Sequence, residues 1–153
     1  MNKFTPPGIL KKVNATILAP VNAGLRIILN VCGQNGKFEN DLDKLLTKRW
    51  SKVRSDFKEW YATQNNFKLG SFNNTAAASD TWICNLLVKN KEEKIDEKLL
   101  ATAFSKFATM VKYEKASVHI SDILLTDTPQ LQDLIVKYLL NEGVNVYIYT
   151  EQK

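Results

Sequence analysis

A short apolar run feeding a helix through a polar turn is the pattern that most restricts this chain. Leu25 to Val31 (Leu-Arg-Ile-Ile-Leu-Asn-Val) is rich in branched residues and reads as a buried strand. The segment that follows, Gly33-Gln34-Asn35-Gly36-Lys37-Phe38-Glu39-Asn40-Asp41, has the composition of a turn. Beyond it Leu42, Leu45 and Leu46 fall at helical spacing, with Asn40 or Asp41 placed to cap a helix over about Asn40 to Trp50. In an open α/β sheet, such a strand–loop–helix unit leaves backbone N–H groups at the strand's carboxyl end, where phosphate-bearing ligands sit.

The same grammar repeats along the chain. Val13 to Pro20 reads as a first strand stopped by proline. Val53, Phe57, Trp60 and Tyr61 share one face of a second helix over about Lys52 to Thr63. Ser71 to Asn73 reads as a short extended piece, Asn74 to Asp80 as an exposed loop, and Trp82 to Val88 as a central strand. Asp96 caps a third helix, whose stripe is Leu100, Ala103, Phe104, Phe107 and Val111. Ala116 to Ile120 is a strand and Ser121 to Thr128 a loop. Thr128-Pro129 then opens a fourth helix that Gly143 ends, and Val144 to Thr150 alternates as a last strand. Strands alternating with helices, without repeat or linker, predict one three-layer α/β/α domain over residues 1–153 with a mixed central sheet. Residues 1–12 read as a flexible N-terminal arm.

Length and composition agree with a single globular core: 153 residues, 44% hydrophobic and 24% charged. No apolar run approaches the roughly 20 residues of a membrane span. The first residues lack the apolar core of a secretory signal. Cys32 and Cys84 lie in apolar stretches without a CxxC partner, which reads as buried thiols in a reducing compartment. The expectation is a cytoplasmic protein with no cofactor, no metal and no membrane contact.

Charge is uneven. Residues 1–75 carry 12 Lys/Arg against 5 Asp/Glu, whereas residues 76–153 carry 9 against 11. Lys44, Lys48, Arg49, Lys52 and Arg54 crowd residues 44–54, a patch that could face a polyanion such as a nucleic acid or simply water. The aromatic and glycine pattern of an RNA module does not accompany it.

The order of segments resembles the macrodomain family, in particular its compact branch of ADP-ribose-processing proteins. Ala15-Thr16-Ile17-Leu18 stands where that family has a Gly-Asp-Ile-Leu type strand end. Ile27 to Leu46 looks like its strand, glycine loop and helix. Residues 48–53, Phe57, Trp60, Leu69-Gly70 and 82–86 look like its centre. Val118-His119-Ile120-Ser121 and Val146-Tyr147-Ile148-Tyr149 look like its last two strands. The resemblance implies an ADP-ribose-like nucleotide, or an ADP-ribosylated macromolecule, as ligand. It places the adenine-binding position at Thr16 and first-loop contacts at Gly33, Gln34, Asn35, Gly36, Lys37 and Phe38. Further contacts fall at Asp122 and Thr126 in the second loop.

The ligand loops depart from the family pattern. Glu39 and Asp41 stand near positions of close backbone approach, and residues 121–127 contain no glycine to form a nest for a phosphate. Catalysis, if retained, is hydrolysis of an ADP-ribose derivative, of phosphatase or deacylase type, weakened or lost. The competing expectation is a non-catalytic protein-interaction domain that keeps the fold. His119, a Cys32/His119 pair, Asp127, Trp82 and Tyr149 can each be drawn into chemistry, but each also reads as core, sheet or turn.

Overall fold

The computed structural model describes residues 6–151. Six strands form one sheet in the order β1-β6-β5-β2-β4-β3. They are β1 (Leu10–Val13), β2 (Arg26–Gly33), β3 (Phe72–Ala78), β4 (Thr81–Lys89), β5 (Ser117–Ser121) and β6 (Val146–Tyr149). All neighbouring pairs are parallel except β3 with β4. The five parallel strands therefore end along one carboxyl edge. The helices are α1 (Asp41–Arg49), α2 (Lys52–Thr63), α3 (Glu97–Glu114), α4 (Asp122–Asp127) and α5 (Leu131–Leu134), which continues through a π turn (Ile135–Leu139) and a 3-10 turn (Leu140–Glu142).

Strand periodicity assigns the layers. Asn30 and Asn85 are register partners on one face, where Asn30 reaches Asp43 of α1; Thr75, on the same face, reaches Asp56 of α2. The opposite face carries Phe72, whose ring meets Phe107 of α3 at 6.5 Å, and Phe104 of α3 lies 6.3 Å from Tyr138 beyond α5. Helices thus cover both faces, and β2 and β4 read as near-continuous apolar runs because neither face meets water. Among the described residues no helix is long and apolar enough to cross a membrane.

Four expected boundaries are corrected. The first strand is Leu10–Val13 rather than 13–20, so residues 10–12 of the expected arm are in the sheet. Residues 14–20 leave it through a local turn, in which Thr16 accepts the N–H of Ala19 on its carbonyl and that of Leu18 on Oγ1. The loop expected at 74–80 is mostly strand: β3 runs to Ala78, hairpin-paired with β4. Its small polar residues suit an edge strand, where only Thr75 is fully buried. The loop expected at 121–128 is α4, capped by Ser121 Oγ accepting the N–H of Ile123 and anchored by buried Leu124. Thr128 supplies its carbonyl, not its buried hydroxyl, to the next helix start.

Candidate functional site

The carboxyl edge carries the chemistry-bearing loops. After β2 the chain turns at residues 33–36, where Gln34 donates its N–H to the Lys89 carbonyl at the end of β4. A register shift between Cys32 and Gly33 sets Gly33 opposite Lys89. A Cβ on Gly33 would stand 3.3 Å from Lys89 Cβ. Between these strand ends lies a recess of about 250 Å³ lined by Cys32, Gly33, Asn35, Lys37, Glu39, Asn40, Asp43, Lys89 and Glu93. Ligand cavities run from roughly 300 Å³ upward, so this recess is smaller than a whole nucleotide needs.

Its floor is a buried polar network. Nδ2 of Asn30 donates to Oδ1 of Asp43 and to Oδ1 of Asn85, each at 2.9 Å. Asp43 Oδ2 accepts the Asn40 N–H, while Asn40 Oδ1 accepts the Asp43 N–H, closing a capping box at the start of α1. Burial pushes the Asp43 carboxyl above its ordinary range, against the pull of the Asn30 and Asn40 hydrogen bonds and of the Lys89 and Arg54 charges. Asp43 was not among the residues marked from the sequence. The capping-box spacing from Asn40 was its available signal.

The loop itself is pinned from α2. Lys58 Nζ donates to the Gly36 carbonyl at 2.7 Å, and Arg54 Nη1 to the Phe38 carbonyl at 3.0 Å. Phe38 is buried and stacks on Phe57 at 5.1 Å, so its ring belongs to the core. Gly36 lies on the Tyr61 ring with φ +78°.

The remaining marked residues fall elsewhere on the edge. Thr16 is in the turn after β1, and Asp122 opens α4. Asp122 and Thr126 border a different hollow, an apolar groove of about 620 Å³ that also involves Leu10, Lys12, Leu125, Ile135, Val136 and Ile148. Gln34, Gly36, Thr16 and Phe38 line neither cavity. Glu39 faces the first recess, while Asp41 is exposed in the first turn of α1. Another hollow, of about 440 Å³, opens at the amino edge beside Asn22, Lys112, Lys115 and Glu142. It lies at the wrong end of the parallel strands for the loops above.

His119 is wired into the fold. Its Nε2 is 2.7 Å from Ser117 Oγ and its Nδ1 is 2.7 Å from Tyr149 Oη, which accepts the Val21 N–H at 2.9 Å. Both ring nitrogens thus face hydroxyl groups that can donate or accept, so the neutral imidazole is satisfied inside the fold. Burial and then the Arg26 charge lower its pKa to about 3. Cys32 sits four residues further along β2 than Ile28, the register partner of His119, about 13 Å away along the strand. The two do not form a pair. Burial raises both thiols well above their ordinary range. Trp82 packs against the core, and Tyr149 is buried. Among the described residues no cluster of His, Cys, Asp and Glu could hold a metal ion.

The strand order, the single antiparallel edge and the helical layers define the macrodomain fold. The structure is similar to a macrodomain protein from Streptomyces coelicolor, with a TM-score of 0.83 at 22% identity over 92% of this chain and 97% of that one. It is also similar to the macrodomain of Mycobacterium tuberculosis DarG, with a TM-score of 0.69 at 11% identity over 93% and 97% of the two chains. A third similar structure is Thermosipho africanus DarTG in complex with ADP-ribose, with a TM-score of 0.66 at 13% identity over 82% of this chain and 38% of that one. No protein-family model and no curated protein matches the sequence.

Proposed function

We propose that this chain binds ADP-ribose or a related nucleotide derivative along the carboxyl edge of its parallel strands, with hydrolysis weak or lost. The observation that carries the reading is the macrodomain fold over nearly the whole chain, a fold that also occurs in a protein solved with ADP-ribose. It is supported by the row of loops at that edge: residues 14–18 after β1, 121–126 after β5 and 33–38 after β2. From β1 to β2 is three strand spacings, about 14 Å, a length suited to an extended dinucleotide-like ligand. Lys37 and Lys89 are the cations of the recess.

Weak or absent hydrolysis follows from what surrounds them. Glu39, Asp43 and Glu93 also line the recess and oppose an anionic group. The second loop is a capped helix rather than a nest of N–H groups. His119 has both ring nitrogens occupied inside the fold.

A second reading, a protein-interaction domain, is favoured by the apolar groove beside β1, next to Leu10 and Val136, each 48% exposed. The basic patch at 44–54 is partly used internally: Arg54 holds the Phe38 carbonyl, Lys52 pairs with Asp56, and Arg49 lies over Trp50. Isothermal titration with ADP-ribose separates the readings. Saturable heat at micromolar to millimolar ligand supports the nucleotide reading, and its absence at millimolar ADP-ribose removes it.

A further inference from the structure

Three strand exits at the carboxyl edge meet at one residue. Glu151, two residues beyond the end of β6, places Oε2 2.8 Å from the backbone N of Ile17, in the loop after β1. Its own N–H points at Asp122 Oδ1, at the start of α4, across 3.5 Å. The strand beneath is tied to the same loop, since Thr150 N–H donates to the Val13 carbonyl at 3.0 Å and Tyr149 Oη accepts from Val21. Glu151 therefore closes the β1 loop against β6 and α4.

Two features make this contact displaceable. Ile17 is fully buried, so its N–H requires an acceptor but accepts any that fits. The acceptor present is the carboxylate of Glu151, a residue that meets Asp122 through its backbone N–H. Among the described residues neither of them forms an ion pair. The hydrogen bond to Ile17 is therefore the polar contact that holds the Glu151 carboxylate in the closed arrangement. An acceptor on a ligand, such as a ring nitrogen or a hydroxyl, satisfies the Ile17 N–H equally.

We propose that Glu151 is a self-blocking latch: its carboxylate occupies the Ile17 N–H beside Thr16, and a nucleotide engages this end of the edge only after Glu151 swings out. The inference rests on the nucleotide reading above and adds regulation to it. Under it, the ligand-free protein is closed, and binding at the β1 end competes with an internal carboxylate.

Glu151→Ala and Glu151→Gln, compared with the unchanged protein, test the latch by calorimetry with ADP-ribose and by hydrogen exchange at the Ile17 amide. Removing the latch is expected to tighten ADP-ribose binding by roughly fivefold to tenfold, about the worth of one hydrogen bond. Glu151→Gln, which keeps an acceptor without the charge, falls between. Ile17 exchange quickens in the ligand-free Ala variant and is slowed again by saturating ADP-ribose. If the unchanged protein binds and Glu151→Ala binds equally or more weakly, the latch is overturned while the nucleotide reading stands. If none of the three proteins binds, the nucleotide reading fails and the latch fails with it, whatever Ile17 exchange does.

Discussion

Lys58 and Gly36 stand 22 residues apart in the chain, and the lysine ammonium donates to the glycine carbonyl at 2.7 Å. Arg54, Phe57, Lys58 and Tyr61 share one helical face, and each touches the loop after β2: a carbonyl, a ring, a carbonyl and a glycine in turn. A basic cluster that could face a polyanion is in part a clamp on the candidate ligand loop. Position and charge together do this, because cationic donors can hold carbonyls whose own N–H partners lie elsewhere.

The clamp predicts that Lys58→Met and Arg54→Met each lower stability by about 1 kcal/mol, the worth of a charge-assisted hydrogen bond discounted for exposure. Urea unfolding measures the loss. Hydrogen exchange should quicken over residues 33–38 more than over β5. Uniform or absent acceleration would show that the loop holds itself.

Gly36→Ala is predicted to be worse. The residue has φ +78°, and a Cβ there would lie 2.5 Å from Tyr61 ring carbons. The backbone conformation alone costs about 1–2 kcal/mol for a non-glycine residue, and ring displacement adds to it. Tyr61→Ala in the same chain should recover the steric part but not the backbone part. A double-mutant cycle by urea unfolding separates them.

Acid should unfold this protein through His119. Its folded pKa of about 3 lies below the ordinary 6.5, so the unfolded chain takes up a proton that the folded chain refuses. Stability from this group is complete above pH 6.5, is lost as the pH falls from there toward 3, and is lower by about 2 kcal/mol at pH 5. Asp43 acts with the opposite sign, because a raised carboxyl favours the folded state as acid protonates it. His119→Phe should flatten the decline between pH 7.5 and 5, and Asp43→Asn should remove the acid stabilisation that this carboxyl contributes as the pH falls through its raised folded pKa. Unfolding midpoints at the two pH values give the answer.

Cys32 and Cys84 are buried with raised pKa values, so neither presents thiolate at neutral pH. A thiol reagent at pH 8 is predicted to modify neither in the native protein and both in urea. Rapid native labelling of Cys32 would place an open path at the recess.

Most of the fold was legible in the sequence because its core elements carry strong periodic patterns. The α2 stripe, the Asp96 cap of α3 and the apolar runs of β2 and β4 announce themselves. The weak points have physical reasons. β3 is built of Asn, Thr and Ala, which look like loop until β4 supplies a partner. α4 is a single capped turn and a half, too short for periodicity to show. In residues 13–20 branched residues suggested a strand, but Thr16 bonds its own backbone and turns the chain. The site was less legible still. Asp43 is defined by Asn30, thirteen residues earlier, and Glu151 by Ile17, 134 residues away. The capping-box spacing from Asn40 marks Asp43 as a helix-start residue, but its pairing with Asn30 and that of Glu151 with Ile17 are tertiary.

Backbone amide shifts on adding ADP-ribose map where the ligand sits on the sheet. Saturable changes are expected at the carboxyl edge alone, over residues 14–18, 33–38, 89–90 and 121–126, with stabilisation of about 2.7 kcal/mol at a hundredfold excess over Kd. No change at millimolar ADP-ribose, or changes centred on the amino-edge hollow at Asn22, Lys112 and Asn145, would contradict binding at that edge.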